Sequence, residues 1–252
     1  MAQRTSPICF RTGINRNWSS RWSGFEDKDL SKMLVQDEKI RKYFYANFNA
    51  SQIVNIEIER KTSKNSFDKE RKSTIDVLLY CGQLGLFDDE TNKKIVNQIQ
   101  KIVGRSVKIN FVPVEYSNVW WSARVVARKI ADDIENRVPF RVAQKNAIKN
   151  VMIQKALGVK TVVGGRLNGV DMARTEWYSE GTIPTSTIRC DLDYAHEIAQ
   201  TPKGSIGVKV WINRGEIFEK GLNNQITPVK YAAPVRRGYN NNRPNDKKGA
   251  TK

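Results

Sequence analysis

Residues 166–194 read RLNGVDMARTEWYSEGTIPTSTIRCDLDY, and the architecture can be inferred from them. Arg166, Arg174 and Arg189 stand there among Asp171, Glu176, Glu180, Asp191 and Asp193, around Trp177 and Tyr178. A segment this rich in mixed charge cannot be held by its own apolar burial, so it needs a sheet beneath it. That sheet is legible on both sides. Upstream, GVKTVVGGR (158–166) ends at a glycine pair. Downstream, Ile188, Cys190, Leu192 and Tyr194 alternate with Arg189, Asp191 and Asp193, the period of two expected of a strand with one buried face. Ile206, Val208, Val210 and Ile212 repeat the alternation. On this reading Asp191 and Asp193 lie on the polar face and pair with Arg174 or Arg189, and the polar stretch itself is a salt-bridged loop.

Net charge is the unusual bulk property. The 252 residues carry +17, with 43 Lys and Arg against 26 Asp and Glu. Every segment is basic, and the two ends are densest for their size. Spread positive charge of this kind releases counterions from a phosphate polyanion, so nucleic acid is the expected partner. No run of about 18 apolar residues is present, and no basic amphipathic helix with a bulky apolar face stands out, so no membrane role is expected. The start MAQRTSPICF lacks the apolar core of a secretion signal. Cys9, Cys81 and Cys190 are widely separated and odd in number. Cys81 and Cys190 fall on apolar-face strand positions, which reads as reduced core cysteine in a cytosolic protein.

Residues 1–36 form a basic arm. Up to residue 25 it holds Arg4, Arg11, Arg16 and Arg21 without one acid, interleaved with Phe10, Trp18, Trp22 and Phe25. Arginine forks suit phosphate, and aromatic rings can stack on bases or pin the arm to protein. Residues 37–113 follow as helix, strand, strand, helix and strand. The helix is DEKIRKYFYANFN (37–49), and the first strand alternates at Val54, Ile56 and Ile58. A polar connector, KTSKNSFDKERK (61–72), leads to a second strand at Ile75, Val77, Leu79 and Cys81. Ile95, Ile99, Ile102 and Val103 have helical spacing, and Val107, Ile109 and Phe111 close the unit. This is the element order of a type II KH domain.

Residues 114–222 read as a second domain. A helix over 117–137 carries Val119, Ala123, Val126, Ile130 and Ile134 on one side. Pro139 suits the first turn of another helix, whose core side is Phe140, Ala143, Ala147 and Val151. Arg141, Lys145 and Lys149 fall at one-turn intervals on its other side, a stripe with no acid among them. Residues 223–252 hold seven basic residues and one acid with few apolar groups, and read as a disordered basic tail.

Five blocks carry a family resemblance. TGINRNWSSRW, PFRVAQKNAIKNVM, GRLNGVDMARTEWYSEG, TIRCDLDY and GVKVWINRGEI lie in order between residue 12 and about 216, and resemble small-subunit ribosomal protein S-three. The resemblance implies an α+β chain. An N-terminal type II KH domain, with a helix on a three-stranded mixed sheet, precedes an α/β two-layer domain with two helices on a mostly antiparallel sheet. It implies a structural role in the small ribosomal subunit, binding small-subunit rRNA in the head and helping to form the mRNA entry channel, in a cytoplasmic or organellar ribosome. Expected rRNA contacts are Arg4, Arg11, Arg16, Trp18, Arg21, Trp22, Arg166, Arg174 and Arg189. The family's basic cluster at the messenger entrance falls on Arg141, Lys145 and Lys149, with Val142 where a second basic residue is usual. Implied neighbours are the small-subunit proteins S-ten and S-fourteen, with S-four and S-five at the entrance.

The KH grip departs from the family pattern. Such a domain holds single-stranded RNA with a GxxG loop flanked by lysines. Here Gly82 and Gly85 have the spacing but align with the turn before the loop, and the loop position holds Phe87, Asp88, Asp89 and Glu90. Three carboxylates repel phosphate and suit a helix N-terminus, so the fold is expected without the grip. No cofactor, metal site or enzymatic role is expected. His196 stands alone, in what reads as loop or helix surface, and no zinc-like Cys/His spacing occurs. The alternative from another class is a DNA-lesion nuclease, an activity attached to eukaryotic relatives.

Overall fold

The alternations at 53–58, 75–81 and 206–212 become strands in the computed structural model, which describes residues 6–22, 27–48, 52–63, 72–83, 85, 87–104 and 107–218. Two four-stranded sheets organise them. In the first, β2 (Ile53–Ser63) pairs antiparallel with β3 (Lys72–Cys81), and β3 pairs parallel with β4 (Lys108–Glu115). The outermost strand is a two-residue segment of the arm, β1 (Ser20–Arg21), parallel to β2. Helices α2 (Asp27–Asn47) and α3 (Asp89–Val103) supply the second layer. Ile40 and Phe44 meet Ile56, Ile58, Val77 and Leu79, with Ile95 and Ile99 from α3, in one fully buried cluster. Phe44 stacks on Phe111 at 5.8 Å. Pro113 cannot donate to a ladder, and it sits in β4, the strand at the sheet's edge. This is the expected KH-like layer, with a fourth strand lent by the arm.

The second sheet, in the order β6-β5-β8-β7, is antiparallel throughout. Its strands are β5 (Gly158–Gly165), β6 (Arg174–Gly181), β7 (Cys190–Thr201) and β8 (Gly204–Glu216). Helices α4 (Ala123–Glu135) and α5 (Phe140–Ile153) cover one face. Val126, Ile130, Ala147 and Val151 pack there on Val159, Val163, Val208 and Val210. Gly158 and Gly181 close the β5–β6 end. Gly181 has φ +75, and a Cβ on it would meet the Leu157 carbonyl oxygen at 2.2 Å, so only glycine fits.

Several expectations shift. Helix α2 begins at Asp27, ten residues before the apolar spacing announces it, and so takes in the end of the expected arm. Lys61, Thr62, Ser63 and Lys72 extend β2 and β3 instead of belonging to the connector, whose residues 64–71 lie outside the described ones. The helix expected over 117–137 is a short 3-10 turn at Val119–Trp121, then extended backbone at Ser122, and only then α4, so Val119 is not on its apolar stripe. Pro139 is the N-cap of α5 rather than a first-turn residue. His196 belongs to β7, not to a loop or helix. The tail 223–252 and Arg4 lie outside the described residues.

The largest correction concerns Asp193. The irregularity between Cys190 and Leu192 places its extra residue in β8, where Glu216 to Asn213 spans three positions. β7 therefore keeps its alternation but in the opposite phase, with Asp193, Ala195 and Ala199 on the helix side and Leu192 and Tyr194 on the other. Asp193, not Tyr194, turns toward the helices and is 6 % exposed, while Tyr194 is half-buried. Its partners are Arg16 at 2.8 Å and Arg214 at 2.7 Å, and the Ala123 N–H donates to it at 2.9 Å, so neither Arg174 nor Arg189 pairs with it. Burial alone would push this carboxyl up. The two guanidinium groups and the backbone donor outweigh it and hold Asp193 below the usual carboxylate range.

Candidate nucleic-acid interface

The arm is built into both sheets. Helix α1 (Pro7–Arg11) delivers Arg11 to a site where it is 1 % exposed. Its guanidinium donates to the carbonyl oxygens of Cys190 at 2.7 Å, Thr187 at 2.8 Å, Thr185 at 3.1 Å and Pro7 at 3.1 Å. Arg11 is therefore a structural tie and presents nothing to phosphate, which removes it from the expected contacts. Arg16 is held by Asp193, and burial, which disfavours its charge, is overcome by that carboxylate, so its pKa is raised. Arg21 pairs with Glu57 at 2.9 Å and Glu59 at 2.6 Å, and Trp22 Nε1 donates to Asp37 at 2.8 Å. Desolvation raises Glu57, and the nearby Arg21 only partly offsets that. Of the expected aromatic contacts, only Trp18 is open, at 66 % exposure. Most of what the arm's sequence offers to RNA is thus turned toward protein.

The C-terminal arginines are different. Arg166 pairs with Asp171, Arg174 with Glu176 and Arg189 with Glu216, at 2.8, 2.9 and 2.9 Å. All three keep large parts of their side chains in solvent, so these are surface pairs that a phosphate can displace. The three do not form one cluster, since each is held by a separate carboxylate.

On α5 the stripe forms as expected. Phe140, Ala143, Ala147 and Val151 are buried while Arg141, Lys145 and Lys149 are exposed. Arg141 reaches Glu176 on β6 with Nε at 3.2 Å and Nη2 at 3.3 Å. Glu176, which also accepts from Arg174, thus joins two residues expected at separate sites, rRNA and messenger. The hydrogen bond from Arg141 lowers the Glu176 pKa, so this carboxylate stays ionised. Composition hides this role, because Glu176 is one acid among five in its stretch. Lys145 and Lys149 form no ion pair among the described residues. The Lys145 ammonium lies 5.8 Å from the Tyr178 ring centre. Both lysines border a groove of about 590 Å3 between α5 and β6, floored by Ile148, Met152 and Tyr178.

The loop that would carry a KH grip is otherwise occupied. Phe87 is buried in the first core, Asp88 is the N-cap of α3, and Asp89 and Glu90 fill its first turn. The three acids therefore serve the helix N-terminus. Among the described residues no group of three or more His, Cys, Asp or Glu could hold a metal ion, and no helix is long and apolar enough to cross a membrane.

Comparison with known proteins places this geometry. The family profile described as ribosomal protein S3, C-terminal domain, matches residues 130–212, which span the last turns of α4, all of α5 and most of the sheet beneath them. Small ribosomal subunit protein uS3 of Mycoplasma pneumoniae is 42 % identical over 243 residues, covering 95 % of this chain and 85 % of its own. That of Ureaplasma parvum is 43 % identical over 229 residues, covering 90 % and 85 %. That of Lysinibacillus sphaericus is 38 % identical over 221 residues, covering 86 % and 95 %. Likeness of this degree runs through both sheets and the arm that joins them, and the chain belongs to the family of small ribosomal subunit protein uS3.

Proposed function

We propose that this chain is a structural, non-enzymatic constituent of the small ribosomal subunit that binds small-subunit rRNA in the head and lines the mRNA entry channel. The observation that carries the proposal is the α5 stripe. Arg141, Lys145 and Lys149 are exposed at one-turn intervals on a helix whose opposite side is locked into the core. Charges so spaced hold a backbone without demanding a base sequence, which suits a messenger that moves and varies. Arg166, Arg174 and Arg189, with Trp18 on the arm, are the groups offered to rRNA, while Arg16 and Arg21 hold the arm in place. The tail 223–252 adds non-specific phosphate affinity. Residues 37–113 act as a KH-type packing unit whose RNA grip is lost at Asp88, Asp89 and Glu90. The neighbours in this reading are rRNA, mRNA and the small-subunit proteins S-ten, S-fourteen, S-four and S-five.

The reading is tested by sedimentation of native ribosomes carrying a tagged chain. The tag should travel with small subunits and whole ribosomes at moderate salt. A chain found only among free proteins would overturn it. Crosslinking from a photoreactive messenger should mark α5, and labelling that spares α5 would withdraw the entry-channel part.

A further inference from the structure

Helices α4 and α5 cover only one face of the second sheet, and the other face has an unusual composition. Register places Trp177 opposite Val162, Lys160 opposite both Ser179 and Trp211, and Tyr194 opposite Trp211. Directly opposed residues share a face, so Trp177, Lys160, Trp211 and Tyr194 stand together on the side away from the helices. Lys209 and His196 oppose one another next to them. The Lys160 ammonium lies 5.0 Å from the Trp177 ring centre and 5.8 Å from that of Trp211, and the rings of Trp211 and Tyr194 are 5.1 Å apart. Trp177 is 60 % exposed. Gly164 and Gly207 pair across β5 and β8 on the same face, beside the side chains of Thr175 and His196. The acids of these strands are elsewhere. Glu176, Glu180 and Glu197 alternate onto the helix side, where Glu176 binds Arg141 and Glu197 meets Arg124.

We propose that this outer face is a stacking platform for single-stranded RNA, distinct from the messenger stripe on α5. An uncovered tryptophan on a sheet face calls for a partner with flat apolar surface, and lysines without a carboxylate among them call for that partner to be anionic. Unpaired nucleotides meet both demands, because every base has a π-face and every linkage a charge. Trp177 and Trp211 lie two strands apart and two residues offset along them, roughly 12 Å, so bases stacked on them leave Lys160 between for the intervening phosphate. A protein partner would have to bring its own anionic aromatic surface.

The test is a fluorescence titration of the full chain with a mixed-sequence single-stranded RNA 12-mer at several salt concentrations. Stacking should quench tryptophan emission. Trp177→Ala should raise Kd roughly tenfold, and Trp177→Phe should restore most of the affinity. Lys209→Ala should reduce the salt slope by about 0.7 while leaving the quenching in place. The pair Lys145→Glu and Lys149→Glu, on the opposite side of the domain, is the control that separates this site from the entry-channel reading. It should weaken overall affinity while leaving the quenching amplitude at saturation intact. Quenching and affinity unchanged in Trp177→Ala, with matched melting curves, would overturn the platform. In intact subunits, ultraviolet crosslinks from Trp211 or Tyr194 to RNA are expected. Crosslinks to protein alone would make the face a protein interface and overturn it equally.

Discussion

Arg16 and Asp193, 177 residues apart in sequence, meet at 2.8 Å and fasten the N-terminal arm to the second sheet. Arg214 and the Ala123 N–H complete the carboxylate's environment, so Asp193 joins the arm, the start of α4 and β8. Removing a carboxylate from such a site leaves two arginines facing each other out of bulk water. Asp193→Ala should lower unfolding free energy by about 3–5 kcal/mol, measured by urea titration of the purified chain. A loss under 1 kcal/mol would show that the arm is only loosely held.

The same group sets an acid limit. Its folded pKa lies below the ordinary 3.8, so its contribution is complete above that value and is lost as pH falls through the lower folded value. The melting-temperature gap between wild type and Asp193→Asn should be constant from pH 7 to about 5 and shrink below about 4. A gap that stayed level to pH 2 would assign the stabilisation to shape rather than charge.

Arg174→Ala should behave differently. Its partner Glu176 keeps Arg141, and the pair is open to solvent, so the free protein should lose only about 0–1 kcal/mol. Assembly into subunits should suffer more than folding. A melt shifted as far as that of Asp193→Ala would show that density of opposite charge in sequence does report burial here.

These contrasts show how far the sequence could be read. Ile56, Ile58, Val208 and Val210 announce both sheets, because period-two alternation follows directly from a half-buried strand. The face of Asp193 could not be read, because Cys190 and Leu192 are buried on the side away from the helices and so look like the core face. Arg11 was equally opaque, since its partners are backbone carbonyls, which have no side-chain signature. The start of α2 escaped because the apolar residues there are not core residues, Leu34 and Val35 being more than half exposed, so the apolar spacing that reports the core begins only near Ile40. The α5 stripe was legible since helical spacing alone separates its two sides.

Charge reversal on α5 should be selective. Arg141→Glu with Lys145→Glu leaves Phe140, Ala147 and Val151 in place, so subunits should assemble. Unstructured messages should be translated normally, while messages with a stable hairpin ahead of the ribosome should slow. Val142 in place of a further basic residue makes a modest effect the expectation. Translation rate against hairpin stability measures it, and equal slowing on every message would remove the stripe from the entry channel.

Restoring charge to the KH-like unit should reveal what the acids do. Asp89→Lys with Glu90→Lys places cations at the N-terminus of α3, costing about 0.3–1 kcal/mol for each, while affinity for single-stranded RNA rises. Thermal melts and RNA titrations of the same protein measure both. A more stable variant would contradict the helix-terminus role.

Arg11 also bears on how the chain is made. It leaves the synthetic machinery some 175 residues before the carbonyls that bind it, from Thr185 to Cys190. During all that time a guanidinium destined for the interior stays hydrated, and the second sheet lacks its closing tie. Docking of the leader is a late event gated by completion of β7, and a nascent chain arrested before residue 190 exposes an unfastened basic aromatic arm to any RNA nearby.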